Sequence, residues 1–253
     1  MNSATVRSLL VRGMLAGLAA GLLALLVAYL LGEPQVDVAI AFEDAHAHEH
    51  GAEVVSRAVQ STAGLATGVL VYGVALGGIA ALAHCFALGR VGRFGPRATA
   101  LLLSGAAFGA LCLVPFLKYP ANPPSVGDPD SIGTRTALYF LMIALSVLLA
   151  VAAVILGKRL APRLGTWYAT VAALAAFAAA VGLAYAFLPA VNELPADFPA
   201  LLLWKFRLSA LGVQLALWTA FGLLFGELAE RAVGVRAATA PRGAEGDAVP
   251  SAH

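Results

Sequence analysis

The sequence predicts an all-α integral membrane protein of six transmembrane helices with both termini on the cytoplasmic side. Three observations predict it. Hydrophobic residues make up 60% of the 253 residues and charged residues only 12%, about half the charged share of an ordinary soluble domain; mean hydropathy is +0.86. The apolar residues come in blocks of about 20, the length a helix needs to cross ~30 Å of hydrocarbon. Lysine and arginine concentrate on alternate connections between those blocks, the pattern that orients a membrane protein.

The first span covers about Leu9–Leu31, behind Arg7 and Arg12. Its apolar run is too long for a signal h-region and no A-x-A-like cleavage site precedes Gly32, so it is read as a retained helix. The next four cover about Gly64–Leu88, Ala98–Leu117, Ala137–Gly157 and Trp167–Leu188. The sixth, Leu208–Leu228, is least sharply bounded at its start, where Lys205 and Arg207 stand. Residues 1–231 thus form one polytopic domain, and the polar Ala/Pro/Gly-rich segment 232–253 is expected to be a disordered cytoplasmic tail.

The connections give the spans their sides. Arg7, Arg12, Arg90, Arg93, Arg97, Lys158, Arg159, Arg163, Arg231, Arg236 and Arg242 fall on one side, with Glu227, Glu230, Glu245 and Asp247. The other side holds the remaining five basic residues and ten acids. The basic side is cytoplasmic, so the external face is acidic. The spans also pair as three hairpins closed by external loops at Gly32–Ala63, Lys118–Thr136 and Pro189–Arg207. That is either a threefold repeat or the ordinary preference of short turns for Pro, Asn and Asp. Glycines at spacing four, in Gly13/Gly17/Gly21, Gly64/Gly68, Gly73/Gly77, Gly105/Gly109 and Gly222/Gly226, read as close-packing helix faces.

The densest chemistry lies in the external loop 32–63. The run Glu43-Asp44-Ala45-His46-Ala47-His48-Glu49-His50, followed by Glu53, holds three of the five histidines. Imidazole with carboxylate is a ligand set for first-row divalent metals. A helix would gather Glu43, His46, His50 and Glu53 within about 80°, and an extended chain would align Asp44, His46, His48 and His50. Without thiolate in the run, mixed N/O ligation points to Co²⁺, Ni²⁺, Zn²⁺ or Mn²⁺ rather than Cu(I) or a closed structural zinc site. A solvated polar loop that happens to hold histidines is the alternative.

A second candidate is an external mouth. Asn122, Asp128 and Asp130 lie in a proline-rich loop, and Asn192, Glu193 and Asp197 in the last one; their net negative charge would concentrate cations. Well-ordered turns would explain the same residues.

Within the spans the sequence is quiet. No Asp, Glu, Lys or Arg stands mid-span, and the polar exceptions are Thr67, Tyr72, Ser104, Ser146, Thr170 and Gln214. Cys85 and Cys112 read as small buried hydrophobes and His84 as a packed or interfacial residue. The lack of an intramembrane charge weighs against a self-contained proton-coupled transporter. No G-x-x-x-x-G-K-[ST], H-E-x-x-H or G-x-S-x-G motif occurs, and the topological placement of the basic residues weighs against nucleic acid.

Several strings resemble the CbtA family, predicted cobalt transporter subunits. They are G-E-P-x-x-D-x-A-I at Gly32–Ile40, E-D-A-H-A-H-E-H, S-R-x-V-Q at Ser56–Gln60 and P-F-L-K-Y-P-A-N-P-P-x-V-G-D-P at Pro115–Pro129. R-T-A-L-Y at Arg135–Tyr139 and N-E-L-P-A-D-F-P with L-W-K-F-R at Asn192–Arg207 complete the set. The resemblance reaches to about Arg231 and rests on K-Y-P-A-N-P-P more than on the glycine-rich helices. It implies a bacterial inner-membrane protein of cobalt uptake for cobalamin synthesis, working with a small single-span CbtB-like partner. His46, His48 and His50 would then capture the metal, with Glu43, Asp44 and Glu53 beside them. The expected function is therefore a non-enzymatic subunit of a Co²⁺ uptake system, with Ni²⁺ or Zn²⁺ as alternative cargo. A metal-binding accessory or sensor that moves no ion, and an integral-membrane metalloenzyme, are the competing readings.

Overall fold

The computed structural model describes residues 2–46, 55–124, 126, 131–191, 194 and 198–239. No strand occurs among them. Five helices are long and apolar enough to cross a membrane: α1 (Ser3–Phe42), α2 (Arg57–Ala87), α3 (Pro96–Lys118), α4 (Ile132–Phe187) and α5 (Ala200–Gly234).

α1 begins at an Asn2 cap whose side chain accepts from the Thr5 amide at 2.9 Å. It does not stop at Leu31. The helix continues through Glu33–His46, so much of the segment expected as a loop is a rod projecting beyond the apolar span. Pro34 is tolerated because a π-helical turn, Ala28–Gly32, precedes it. Proline has no N–H to donate and its ring crowds the preceding turn, and a widened turn relieves both. Pro115 in α3 follows a second π-helical turn, Phe108–Leu113. In both places a serine from another helix takes up a backbone carbonyl. Ser209 Oγ donates to Leu31 O at 2.8 Å, and the buried Ser146 Oγ donates to Ala110 O.

α1 and α2 pack antiparallel along a glycine seam. Backbones approach so closely that a Cβ on Gly73 would lie 2.6 Å from Gly17 O, and one on Gly17 would lie 3.0 Å from the Gly77 Cα. α3 packs antiparallel on α5 in the same way, with Gly222 against Ser104 and Gly226 against Arg97 and Ala100. Gly68, Gly105 and Gly109 meet nothing within 4 Å, so spacing alone does not identify a packed face. Leu9, Trp218, Phe221 and Phe225 fill the core between these pairs, with Phe221 stacked on Phe225 at 5.2 Å.

α4 is 56 residues long, which would measure about 84 Å if straight. It is not straight. Gly165, at φ 75° and ψ 161°, leaves the helical conformation, a φ that glycine adopts without penalty. The chain folds back there: a Cβ on Gly157 would touch the Ala173 Cβ at 3.4 Å, and Met142 and Val181 share one buried cluster with Val114 and Tyr119.

The two ends of the bundle differ. At one end Arg12 donates to Leu228 O at 2.7 Å and Lys158 to Arg90 O at 2.9 Å. There Glu227 pairs with Arg97 and, at 2.8 Å, with Arg231. These are the basic connections expected to share a side, and they meet one another. The beginning of α1 and the end of α5 both lie here.

Candidate functional site

The opposite end is built from three connections. Glu33 and Asp37 stand one turn apart on the projecting part of α1, so one cation can engage both. That cation is Arg57, at the start of α2. Its Nε and Nη2 donate to Asp37 Oδ1 at 3.0 and 2.8 Å, and Nη2 pairs with Glu33. Burial would lower the Arg57 pKa; the bonds to Glu33 and Asp37 outweigh it, and the net shift is upward. This clasp ties α1 to α2 on either side of the segment that carries the histidines.

Two residues beyond Asp37, Ala39 is fully buried and packs with Phe42, Val126, Leu194, Phe198 and Leu202. Phe42 meets Phe198 edge to face at 5.1 Å. The three connections at this end therefore close on a single apolar plug.

Beside the plug, the K-Y-P-A-N-P-P loop is fixed by hydrogen bonds that it donates and by arginines that grip its oxygens. Lys118 Nζ donates to Tyr185 O at 2.8 Å, and the Tyr119 hydroxyl to Pro189 O at 2.9 Å. Arg135 donates to Pro120 O at 2.8 Å. Arg207 donates to Ala121 O at 3.2 Å and to Asn122 Oδ1 at 3.0 Å. Burial, and then the neighbouring charge of Arg135, lower the Arg207 pKa. A recess of about 40 Å³ lies among Tyr119, Pro120, Asn122, Arg135, Leu194 and Arg207. The Asn122 oxygen is thus engaged in fixing its loop.

Of the other residues singled out in the sequence, Asp44 is exposed on the last turns of the helix that His46 closes. The side chains of Glu43 and His46 lie outside the described residues, as do His48, His50, Glu53, Asp128, Asp130, Asn192, Glu193 and Asp197 altogether.

Sequence reading passed over one constellation inside the bundle. Cys112, in the π-helical turn of α3, is 7% exposed, and its thiol donates to Gln214 Oε1 of α5 at 3.4 Å. Trp218 of α5 shares a buried cluster with Cys112. Cys112 and Gln214 are 102 positions apart, and nothing in their local patterns links them.

The family model described as "Probable cobalt transporter subunit (CbtA)" matches residues 6–230 of the chain. No curated protein and no solved structure matches it.

Proposed function

The chain belongs to the CbtA family of probable cobalt transporter subunits, and we propose that it captures Co²⁺ at its external end and passes it into the bundle. The histidine-bearing segment would act as the trap: His46, His48 and His50 supply imidazoles, and Glu43, Asp44 and Glu53 supply carboxylates. The acids Asp128, Asp130, Glu193 and Asp197, with Asn192, would surround it as a cation-concentrating mouth, while Asn122 orders the adjoining loop. The observation that carries this reading is the Arg57 clasp with the apolar plug beside it. Together they bring Phe42 and Arg57, which stand on either side of the histidine-bearing segment, to the end of the bundle where the three connections meet, and this supports a trap there. Ni²⁺ and Zn²⁺ satisfy the same ligands and would compete with Co²⁺.

In this reading the chain crosses the membrane six times, with both termini inside. The α4 reversal at Gly165, close behind the basic residues Lys158, Arg159 and Arg163, supports two crossings within α4. The location is the inner membrane. A small single-span CbtB-like subunit completes the system, in keeping with spans that lack mid-membrane charge. The protein is a transport component rather than an enzyme or a sensor. Replacing His46, His48 and His50 together by alanine tests the trap. Co²⁺ affinity of the purified protein should fall at least tenfold, about 1.4 kcal/mol, and an unchanged affinity would refute the capture role.

A further inference from the structure

We infer that an anionic phospholipid of the inner leaflet occupies a cleft between α4 and the α2–α3 pair, its phosphate held by Arg90, Arg159 and Arg163 and its acyl chains lying along α2 and α4. The lipid is independent of the cargo; only its leaflet rests on the six-crossing reading above. α4 is fastened to the bundle unevenly. The α4 residues that share a buried cluster with Val114 and Tyr119 come from 138–149 and 177–185, and the Ser146 bond to Ala110 O lies in the same part. Between those stretches the two arms of α4 pack on each other, Gly157 against Ala173. Among the described residues, the hydrogen bond that ties this inner part to another element runs from Lys158 Nζ to Arg90 O at 2.9 Å.

Two apolar stripes run down to that bond. Leu148, Val151 and Ile155 lie on the face of α4 that carries Lys158, and Ile79, Leu82 and Phe86 share a face of α2. The Arg90 guanidinium sits over Phe86, 4.9 Å from the ring centre. These six apolar side chains are between 48% and 71% exposed, so α4 and α2 are tied at the basic end and uncovered above it. From Leu148 to Lys158 is about 15 Å of helix, half of a ~30 Å hydrocarbon core. The uncovered depth is that of one leaflet, the one at the basic end. Bulky branched side chains line it, whereas membrane helices approach one another on small residues. Such walls suit acyl chains.

The charge at the mouth of the cleft points to the head group. Arg159 and Arg163 stand one turn apart on α4, where side chains are surface neighbours, and both are exposed, as are Arg90, Arg93 and Lys158. The carboxylates described at this end are engaged elsewhere. Glu227 pairs with Arg97 and Arg231, and Glu230 accepts from the Arg97 amide at 3.1 Å. Among the described residues, none of the five cations around the cleft has a carboxylate partner. A phosphodiester supplies the missing charge. Basic groups between membrane helices at the cytoplasmic side form sites for anionic head groups, and arginine grips phosphate through parallel hydrogen bonds. Trp167 and Tyr168, exposed just beyond the Gly165 reversal, are the residue types that settle at headgroup level.

Native mass spectrometry of the full-length protein, delipidated in detergent and titrated with dioleoylphosphatidylglycerol or dioleoylphosphatidylcholine, tests this directly. The two lipids share their acyl chains and differ in net head-group charge. Wild type should bind one phosphatidylglycerol about tenfold more tightly than phosphatidylcholine. Arg159→Gln/Arg163→Gln should bring the two lipids level. Arg7→Gln/Arg231→Gln removes the same charge from the same end and should keep the preference. Ile155→Trp, with every cation in place, should weaken phosphatidylglycerol binding by filling the cleft. Equal affinity for the two lipids in folded wild type overturns the site, as does a preference that survives Arg159→Gln/Arg163→Gln. Equal losses in the two double variants would show general surface charge alone, and unchanged binding in Ile155→Trp would put the lipid outside the cleft; either overturns it. Detergent measurements read no orientation, so a reporter fused at Gly165 that signals from the external side would refute the leaflet and leave the site standing.

Discussion

At the residue scale, the account turns on a few side chains whose partners are distant in sequence. Arg57 joins Glu33 and Asp37 across 24 and 20 positions. Glu33 is 14% exposed and Asp37 62% exposed, so the Glu33 pair is the less screened. Double-mutant cycles on thermal unfolding should give a coupling of about 1 kcal/mol for Arg57–Glu33 and less for Arg57–Asp37. Equal couplings, or none, would contradict the clasp. The histidine run stands out in the sequence because its density is local. The clasp was not, because a charge in a loop does not announce its partner. Cys112 and Gln214 were missed for the same reason: each is an isolated polar residue in an apolar run, and only helix packing places them 3.4 Å apart.

At the element scale, the glycine spacings predicted packing too generously. Periodicity shows that small residues share a face; it does not show whether that face meets a helix or open space. Gly17 meets the Gly73 and Gly77 backbone, whereas Gly105 meets nothing within 4 Å. Gly17→Leu should therefore destabilise the purified protein by about 1–3 kcal/mol through overpacking. Gly105→Ala should be neutral or stabilising by up to about 1 kcal/mol, following helix propensity. Thermal unfolding in detergent reads both, and similar losses for the two would contradict the seam. Hydropathy ended the first span at Leu31, whereas the helix runs on to His46 through Pro34. The π-helical turn ahead of it absorbs the strain, and hydropathy carries no signal for such a turn. The reversal in α4 was better marked: Gly165 lies within the basic connection Lys158–Thr166 that separates two apolar runs.

At the scale of the whole molecule, the charge pattern and the packing agree. The basic connections meet one another at one end, through Arg12, Arg90, Arg97 and Arg231. The acidic connections meet at the other, through the Arg57 clasp and the Phe42–Phe198 plug. Sequence composition made the two faces legible because insertion depends on charge, which is local. Their chemistry was less legible, since residues of all three connections meet at the acidic end. Six crossings predict a cytoplasmic reporter signal from fusions at both termini and at Gly165; a signal from the external side at Gly165 would contradict the reversal as a membrane hairpin.

The central claim is that this chain moves cobalt inward. Cells expressing it together with a single-span partner should accumulate radiolabelled Co²⁺ several-fold faster than cells expressing the partner alone. The excess should fall to background when His46, His48 and His50 are replaced by alanine. Equal accumulation with and without the chain would contradict the account.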